Sequence, residues 1–174
     1  MSFFQNIKDT LYKKSIFNRL AKNKRNDIPM DYHSAKTIGL LFDWKHQKEA
    51  FAFADLLRKD GKSVEFLTFV FTESETLHPE ISFFTQKNIN WLEIPSSSTV
   101  LDFIKNPLDM VFNLSLKPKK YLDYIMAVSV SNFKIGPPCE QTGIYDLMYD
   151  GHGDLDIFIH NVYDLLKKTI KRNA

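Results

Sequence analysis

The apolar run TIGLLF at residues 37–42, which ends at Asp43, is the strongest structural signal in this sequence. Its hydrophobic residues are continuous rather than alternating, which is typical of a strand buried on both faces. Strands of this kind occur almost only in parallel sheets that helices cover on both sides. The run therefore predicts a central strand of an α/β sheet.

Further strands and helices are predicted to alternate along the chain. The other predicted strands cover residues 64–71, 89–94, 108–114, 132–135 and 144–149. Helical periodicity predicts apolar helix faces at 50–57, 100–104, 121–128 and 155–170, and a short helix at about 79–86. This alternation predicts a three-layer sandwich, Rossmann-like or flavodoxin-like, with a mostly parallel sheet of about six strands. The strand order stays open.

Composition predicts one α/β domain at 31–174, preceded by a basic helical arm at 1–30. Of the 174 residues, 44% are hydrophobic and 25% are charged, which is normal for a globular protein. A single cysteine, Cys139, excludes an internal disulfide and a cysteine-based zinc site, and it fits a reducing compartment. No apolar run approaches the roughly 18 residues of a membrane span. We expect a cytoplasmic protein without a cofactor.

The arm carries an excess of positive charge. Residues 1–27 contain seven basic and two acidic side chains, a net charge of +5, whereas the remainder has 16 basic and 19 acidic side chains, a net charge of −3. Apolar residues recur in the arm at helical spacing, namely Phe3, Phe4, Ile7 and Leu11. Either this stripe packs on the domain, or the arm binds a protein partner or an anionic membrane surface. Nucleic acid is disfavoured because the domain is slightly acidic, and the oligomeric state stays open.

Polar residues near the ends of the predicted strands are the candidates for ligand binding. In an open parallel sheet, ligands bind outside the carboxyl ends of the strands. The candidates are Asp43, His46, Asn113, Gly136, Asp150 and His152, with Trp44, Thr72, Glu73, Ser96–Thr99 and Ser115 beside them. Asp43 with His46 could form an acid–base pair, because a carboxylate orients an imidazole and raises its pKa. The alternative is that Asp43 caps the helix that follows.

Four other features could carry chemistry but also have an ordinary structural explanation. Asp150-Gly151-His152-Gly153-Asp154 could ligate a divalent ion, but Asp-Gly favours a turn and Asp154 suits a helix N-cap, so we predict no metal site. Ser96–Thr99 could hold a phosphate or simply cap a helix. Cys139 has no histidine near it in sequence, and the basic residues Lys117, Lys119 and Lys120 could form an anion site or a solvated surface.

No phosphate-binding fingerprint is present. Neither GxGxxG nor GxxxxGK[ST] occurs in the sequence, and Gly39 lies within the first strand rather than after it. A nucleotide cofactor is therefore disfavoured.

Two resemblances follow from the strands. The run Asp109–Leu114, a helix, and the run Asn132–Gly136 resemble the N-terminal Rossmann-like half of heptosyltransferase-type glycosyltransferases. That resemblance implies a βαβ topology; we expect no second Rossmann-like domain of the kind those enzymes need. Over its whole length the chain resembles an uncharacterised bacterial family of unknown function. The residues that carry this likeness are the basic N-terminal helix, Phe42-Asp43, Phe112-Asn113-Leu114, Ile135-Gly136 and Tyr145-Asp146-Leu147-Met148. It implies a bacterial, cytoplasmic setting and no catalytic residues.

Two function hypotheses remain. The first is a non-enzymatic binding or interaction domain whose basic arm contacts a partner or an anionic surface. The second is a small-ligand-binding protein or enzyme, nucleotide- or sugar-related, that uses a pocket at the carboxyl ends of the strands. Because the sequence has no glycine-rich phosphate loop, we favour the first hypothesis. Whether the protein is an enzyme stays open.

Overall fold

The computed structural model describes residues 3–20, 31–71 and 81–168. The strands are β1 (Thr37–Asp43), β2 (Ser63–Val70), β3 (Ser82–Thr85), β4 (Met110–Leu114), β5 (Phe133–Gly136) and β6 (Leu147–Met148). The helices are α1 (Phe3–Leu20), α2 (Gln47–Lys59), α3 (Ser98–Lys105), α4 (Lys120–Val128) and α5 (Leu155–Lys168), with 3₁₀ turns at Trp44–His46 and Gln86–Asn88. The predictions for 21–30, for Thr72 and Glu73, and for 169–171 lie outside the described residues.

The six strands form one parallel sheet in the order β3-β2-β1-β4-β5-β6. β1 pairs with β2 on one side and with β4 on the other, so that Leu41 lies between Leu67 and Asn113. The order reverses between β1 and β4, as in a doubly wound Rossmann-type sheet. The predicted α/β sandwich with a parallel six-stranded sheet is confirmed, and β1 is its central strand.

Apolar clusters cover both faces of the sheet, because successive side chains of a strand point to opposite sides. Leu40 and Phe42 of β1 pack with residues of α2 and α5 on one face. Leu41 packs with residues of α1, α3 and α4 on the other. Gly39 is required on this second face, since a Cβ there would lie 2.7 Å from the Leu108 side chain. These two clusters make the sandwich three-layered.

The third strand is not where the sequence predicted it. Residues 89–94 form turns closed by an isolated bridge between Ile89 and Pro95. The Asn90 side chain accepts the backbone N–H groups of Leu92 and Ile94, and such a local acceptor competes with the sheet for backbone donors. The real strand, β3, occupies part of the predicted helix at 79–86, because its chain pairs with β2 at the sheet edge. Both predictions are wrong.

The remaining boundaries differ by a few residues. The predicted strand at 144–149 shortens to β6, because Ile144 and Tyr145 are buried in the core cluster beneath α1 and α4. Gly61, just after α2, has a positive φ of 78°. None of the helices in the described segments is long and apolar enough to cross a membrane.

Candidate functional site

Helix α1 has two apolar faces, and only one of them packs on the rest of the molecule. Tyr12 and Ile16 are buried against the cluster that includes α4. Phe4, Ile7 and Leu11, spaced i, i+3 and i+7, share another side of the helix and reach solvent, with exposed fractions of 80%, 40% and 39%. Phe17 is 72% exposed but lies on a different side of the helix, since it is 13 positions from Phe4. We call Phe4, Ile7 and Leu11 the outward face. The interpretation that this stripe packs on the domain is therefore wrong for Phe4, whereas Ile7 and Leu11 are partly covered.

Polar contacts attach α1 to the domain on its inner side. The Tyr12 hydroxyl donates to the Lys120 carbonyl oxygen at 2.6 Å. The Lys120 ammonium contacts the Asp9 carboxylate at 2.6 Å and lowers the pKa of that group. Lys8 pairs with Glu93, also at 2.6 Å. The acidic residue of α1 is thus held by a lysine of α4, whereas the basic side chains Lys13, Lys14 and Arg19 are exposed.

A cavity of about 340 Å³ lies at the carboxyl ends of β1 and β2. We call it the β1-end cavity. Its lining residues are Asp43, Trp44, Lys45, Phe69, Phe71, Gln86, Lys119 and Tyr121. Asp43 and Trp44 are the predicted strand-end residues among them, and Lys119 belongs to the lysines that the sequence offered as an anion site. The cavity is adjacent to the reversal of strand order beside β1, where sheets of this kind bind their ligands.

Asp43 is buried and is held by residues of the α4 region. Its carboxylate forms an ion pair with the Lys119 ammonium and accepts a hydrogen bond from the Tyr121 hydroxyl at 3.0 Å. The Asp43 side chain makes no capping bond to the turn that follows, so the helix-cap interpretation is wrong. Burial lowers the pKa of Lys119. The interpretation of the 117–120 lysines as a solvated surface is wrong for Lys119 and Lys120, which each pair with a carboxylate.

His46 lies close to Asp43 in sequence but not in a hydrogen-bonded pair with it. It ends the 3₁₀ turn after β1 and is half-buried. Burial lowers the pKa of His46, and the neighbouring Lys45 charge lowers it further. The partners of the Asp43 carboxylate among the described residues are Lys119 and Tyr121. The arrangement therefore favours a neutral imidazole and does not raise its pKa as the acid–base hypothesis requires.

Asn113 and Gly136 lie together, but in a sealed interior rather than in a pocket. The Asn113 amide donates to the Tyr145 hydroxyl at 2.6 Å and accepts from the Ser115 hydroxyl at 2.9 Å. A Cβ at Gly136 would lie 2.3 Å from the Tyr145 ring, so glycine admits that ring. The Tyr145 hydroxyl in turn donates to the Asp123 carboxylate at 2.6 Å. Sequence reasoning missed Tyr145 and Asp123 as members of this cluster; the missing side chain of Gly136 was the signal for a close approach.

Asp123 and Cys139 border a second cavity, of about 270 Å³, beneath α1. Burial raises the pKa of Asp123 to about 6, although the hydrogen bond from Tyr145 opposes that rise. Burial also raises the pKa of the Cys139 thiol, which donates to the Gln141 carbonyl oxygen. A raised pKa keeps the thiol protonated and unreactive. This side of the sheet therefore offers no activated nucleophile at Cys139.

Asp150 and His152 lie on the surface, away from the β1-end cavity. The Asp150 carboxylate accepts the backbone N–H of His152 at 2.8 Å, and Gly153 has a φ of 86°, so the segment is a tight turn before α5. Asp154 caps α5 by accepting the N–H of Ile157 at 3.1 Å. Ser97 likewise caps α3. In the three described ranges, no group of three or more His, Cys, Asp or Glu side chains is placed to hold a metal ion.

Residues 8–169 match a family model described as "Family of unknown function (DUF6913)". The chain belongs to this family. No curated protein matches the chain significantly. Among solved structures, this chain is similar to a D-2-hydroxyisocaproate dehydrogenase, with 11% identity and a TM-score of 0.37 over 92% of this chain. The chain spans 62% of that enzyme's length. The family assignment confirms the expectation of a family without an assigned activity.

Proposed function

We propose that this protein is a binding module that attaches peripherally to an anionic membrane surface through the outward face of α1. The observation that carries the proposal is the second apolar face of that helix. Tyr12 and Ile16 fix α1 to the domain, and the outward face lies on another side of the helix. Exposed apolar side chains gathered on one helix face are typical of an interaction surface.

The arrangement matches an amphipathic helix that lies in the plane of a bilayer surface. Such a helix buries its apolar residues at the boundary between headgroups and acyl chains and directs basic side chains toward the headgroups. The exposed Lys13, Lys14 and Arg19 are placed along the same helix. Each basic residue near an anionic leaflet contributes about 1 kcal/mol, so three contribute about 3 kcal/mol. Binding of this strength is reversible and weakens as salt screens the charges.

Charge distribution favours a lipid surface over an acidic protein or a nucleic acid. The net charge of residues 1–27 is +5, while the rest of the chain carries −3, so the arm is the part of the chain with a net positive charge. Within α1 the Asp9 carboxylate is held by Lys120 and does not oppose an anionic surface. A flat lipid surface can contact one helix face while the acidic domain stays in solution.

Co-sedimentation with vesicles tests this proposal. Wild-type protein is mixed with phosphatidylglycerol–phosphatidylcholine vesicles or with pure phosphatidylcholine vesicles, at about 0.05 M and about 0.5 M salt. We expect sedimentation with the anionic vesicles at low salt only. We expect more of the variant F4S to stay in the supernatant, since the Phe4 ring is exposed and its replacement leaves the core intact.

Matched controls distinguish binding through the outward face from nonspecific hydrophobic adsorption. Phe71 is as exposed as Phe4 but lies outside α1, so F71S should sediment like the wild type. K13Q/K14Q should lose binding, whereas K48Q/K59Q, which removes two exposed lysines of α2, should retain it. Absence of sedimentation with anionic vesicles, or equal sedimentation of all variants, would contradict membrane attachment. Binding to a protein in place of lipid would then be the remaining interpretation of the face.

A further inference from the structure

The β1-end cavity has aromatic walls around a polar floor. Phe69 and Tyr121 pack against each other with ring centroids 4.6 Å apart. Trp44 is nearly buried at the end of β1, and Phe71, at the end of β2, is 79% exposed. An exposed phenyl ring at the mouth of a cavity is covered when a flat molecule binds beside it. Aromatic walls of this kind bind planar groups by stacking.

The charges of the cavity favour an anion. Asp43 supplies one negative charge, and Lys45 and Lys119 supply two positive charges, so the lining has a net charge of +1. The Lys119 ammonium neutralises Asp43 within the ion pair. Lys45 is exposed, and no carboxylate among the described lining residues other than Asp43 offsets it. A carboxylate or phosphate group of a ligand would therefore find a cation at the mouth of the cavity.

The connection from β1 to α2 argues against a dinucleotide. In Rossmann-type cofactor sites a glycine-rich turn lets a diphosphate approach the backbone at the helix N-terminus. Here the connection is Asp43-Trp44-Lys45-His46, which contains no glycine. The Trp44 side chain in this connection is nearly buried. The volume of about 340 Å³ is also at the small end of the range for ligand pockets. A small molecule with a single anionic group fits these limits.

We propose that the β1-end cavity binds a small planar molecule that bears one carboxylate or phosphate group. Its ring lies against Phe71 and Trp44, and its anionic group contacts Lys45. The residues involved are separate from α1, so this site and the membrane-binding face stand on different observations. Membrane attachment can fail while the cavity binds, and the reverse also holds.

Tryptophan fluorescence measures binding directly. The chain has two tryptophans, and Trp91 is exposed outside the cavity, so W91F leaves Trp44 as the reporter. The full-length W91F protein is titrated, without lipid, with benzoate and with adenosine monophosphate. Benzyl alcohol and adenosine serve as their uncharged counterparts. We expect a saturable change of Trp44 fluorescence with at least one of the two anions. Its uncharged counterpart should bind at least about fivefold more weakly. The two anions distinguish a carboxylate site from a phosphate site.

Surface variants in the W91F background test the assignment without disturbing the core. F71A should weaken binding of the anion about tenfold or more, because a stacking ring is removed. K45Q should weaken it about fivefold, while K48Q, on the exposed side of α2, should leave it unchanged. Thermal unfolding of each variant verifies that it folds. The proposal is overturned if neither anion gives a saturable change, or if F71A and K45Q both bind as tightly as the parent.

Discussion

The two sides of the sheet's carboxyl edge carry similar polar residues but differ in what covers them. On the β1 side, Asp43 and its partner Lys119 border a cavity that opens to solvent. On the β4 and β5 side, Asn113 and Gly136 are covered by the Tyr145 side chain. A polar residue at a strand end is therefore not enough to make a binding site. The segment that follows the strand decides whether the end stays accessible.

The two sides also differ in how the negative charge of their buried carboxylate, Asp43 or Asp123, is compensated. Asp43 pairs with an ammonium group, which compensates its charge directly. Asp123 accepts a hydrogen bond from the neutral Tyr145 hydroxyl, and burial raises its pKa to about 6. Buried charges without an ionic partner shift their pKa toward the neutral form. On the β1 side an ion pair therefore compensates the carboxylate, and on the other side burial favours the neutral form of Asp123.

Replacing one aromatic residue on each side should give the largest contrast. Y145A is expected to lower the free energy of unfolding by about 4 kcal/mol, because it removes a buried ring and leaves Asn113 and Asp123 without their shared partner. F71A is expected to change it by less than about 0.5 kcal/mol, since that ring is exposed. Urea unfolding followed by circular dichroism measures both. Equal losses in the two variants would show that the sides do not differ as described.

The pH dependence of stability should separate the two carboxylates. Between its ordinary pKa of 3.8 and its folded pKa of about 6, Asp123 holds a proton in the folded protein that the unfolded chain has lost. The stability from this proton is therefore lost as pH rises through that interval, and the difference corresponds to about 3 kcal/mol. The variant D123N cannot lose a proton there. We expect the free energy of unfolding of the wild type to fall by about 2 kcal/mol relative to that of D123N from about pH 4 to about pH 7.

Urea titrations of both proteins at several pH values provide the measurement. D123N is the reference for the wild type, because every other carboxylate is common to the two proteins. A difference that stays constant over the whole interval would mean that Asp123 has an ordinary pKa in the folded protein.

Removing the charge of Asp43 should have a smaller effect. D43N keeps the shape of the side chain but leaves Lys119 without its ionic partner, and we expect a loss of about 2 kcal/mol in the free energy of unfolding. The control is D55N, which breaks an exposed pair with Arg58 at 3.4 Å and should change stability by a few tenths of a kcal/mol at most. Chemical denaturation of the two variants in parallel decides the matter. A D43N protein as stable as D55N would mean that the Asp43–Lys119 ion pair makes no net contribution to the free energy of unfolding.

Local sequence patterns were sufficient to predict the sheet class and the central strand. The run at 37–42 is apolar on both faces, and only a central parallel strand satisfies that pattern. β3 was missed because it is a short edge strand, and its position depends on pairing with β2. Residues 89–94 have the composition of a strand, but the Asn90 side chain closes a turn there. Tertiary pairing and local hydrogen bonds decided both cases.

The candidate site was predictable only in part, for a related reason. Asp43 follows from the rule that ligands bind at strand ends. Lys119 and Tyr121 lie 76 and 78 positions further along the chain, and no local pattern connects them to Asp43. Asp123 occurs in a helix and has no local mark of burial, since its partner Tyr145 is supplied by a distant loop. The residues that decide which side is open are therefore the ones that sequence spacing does not reveal.

The smallest expected effect concerns the contact that holds α1 over the sealed side. Y12F removes the hydroxyl that donates to the Lys120 carbonyl oxygen but keeps the buried ring, so we expect a loss of about 1 kcal/mol. Cys139 and Tyr12 border the same cavity, which makes the thiol a local reporter of whether α1 stays in place. If α1 opens without global unfolding, Y12F should react with iodoacetamide about fivefold faster than the wild type, because about 1 kcal/mol less is needed to expose the thiol. Y32F, which removes a hydroxyl bond to Asp60 elsewhere in the structure, should leave that rate unchanged. An alkylation rate in Y12F equal to that of the wild type would show that Cys139 is reached by a route that does not involve α1.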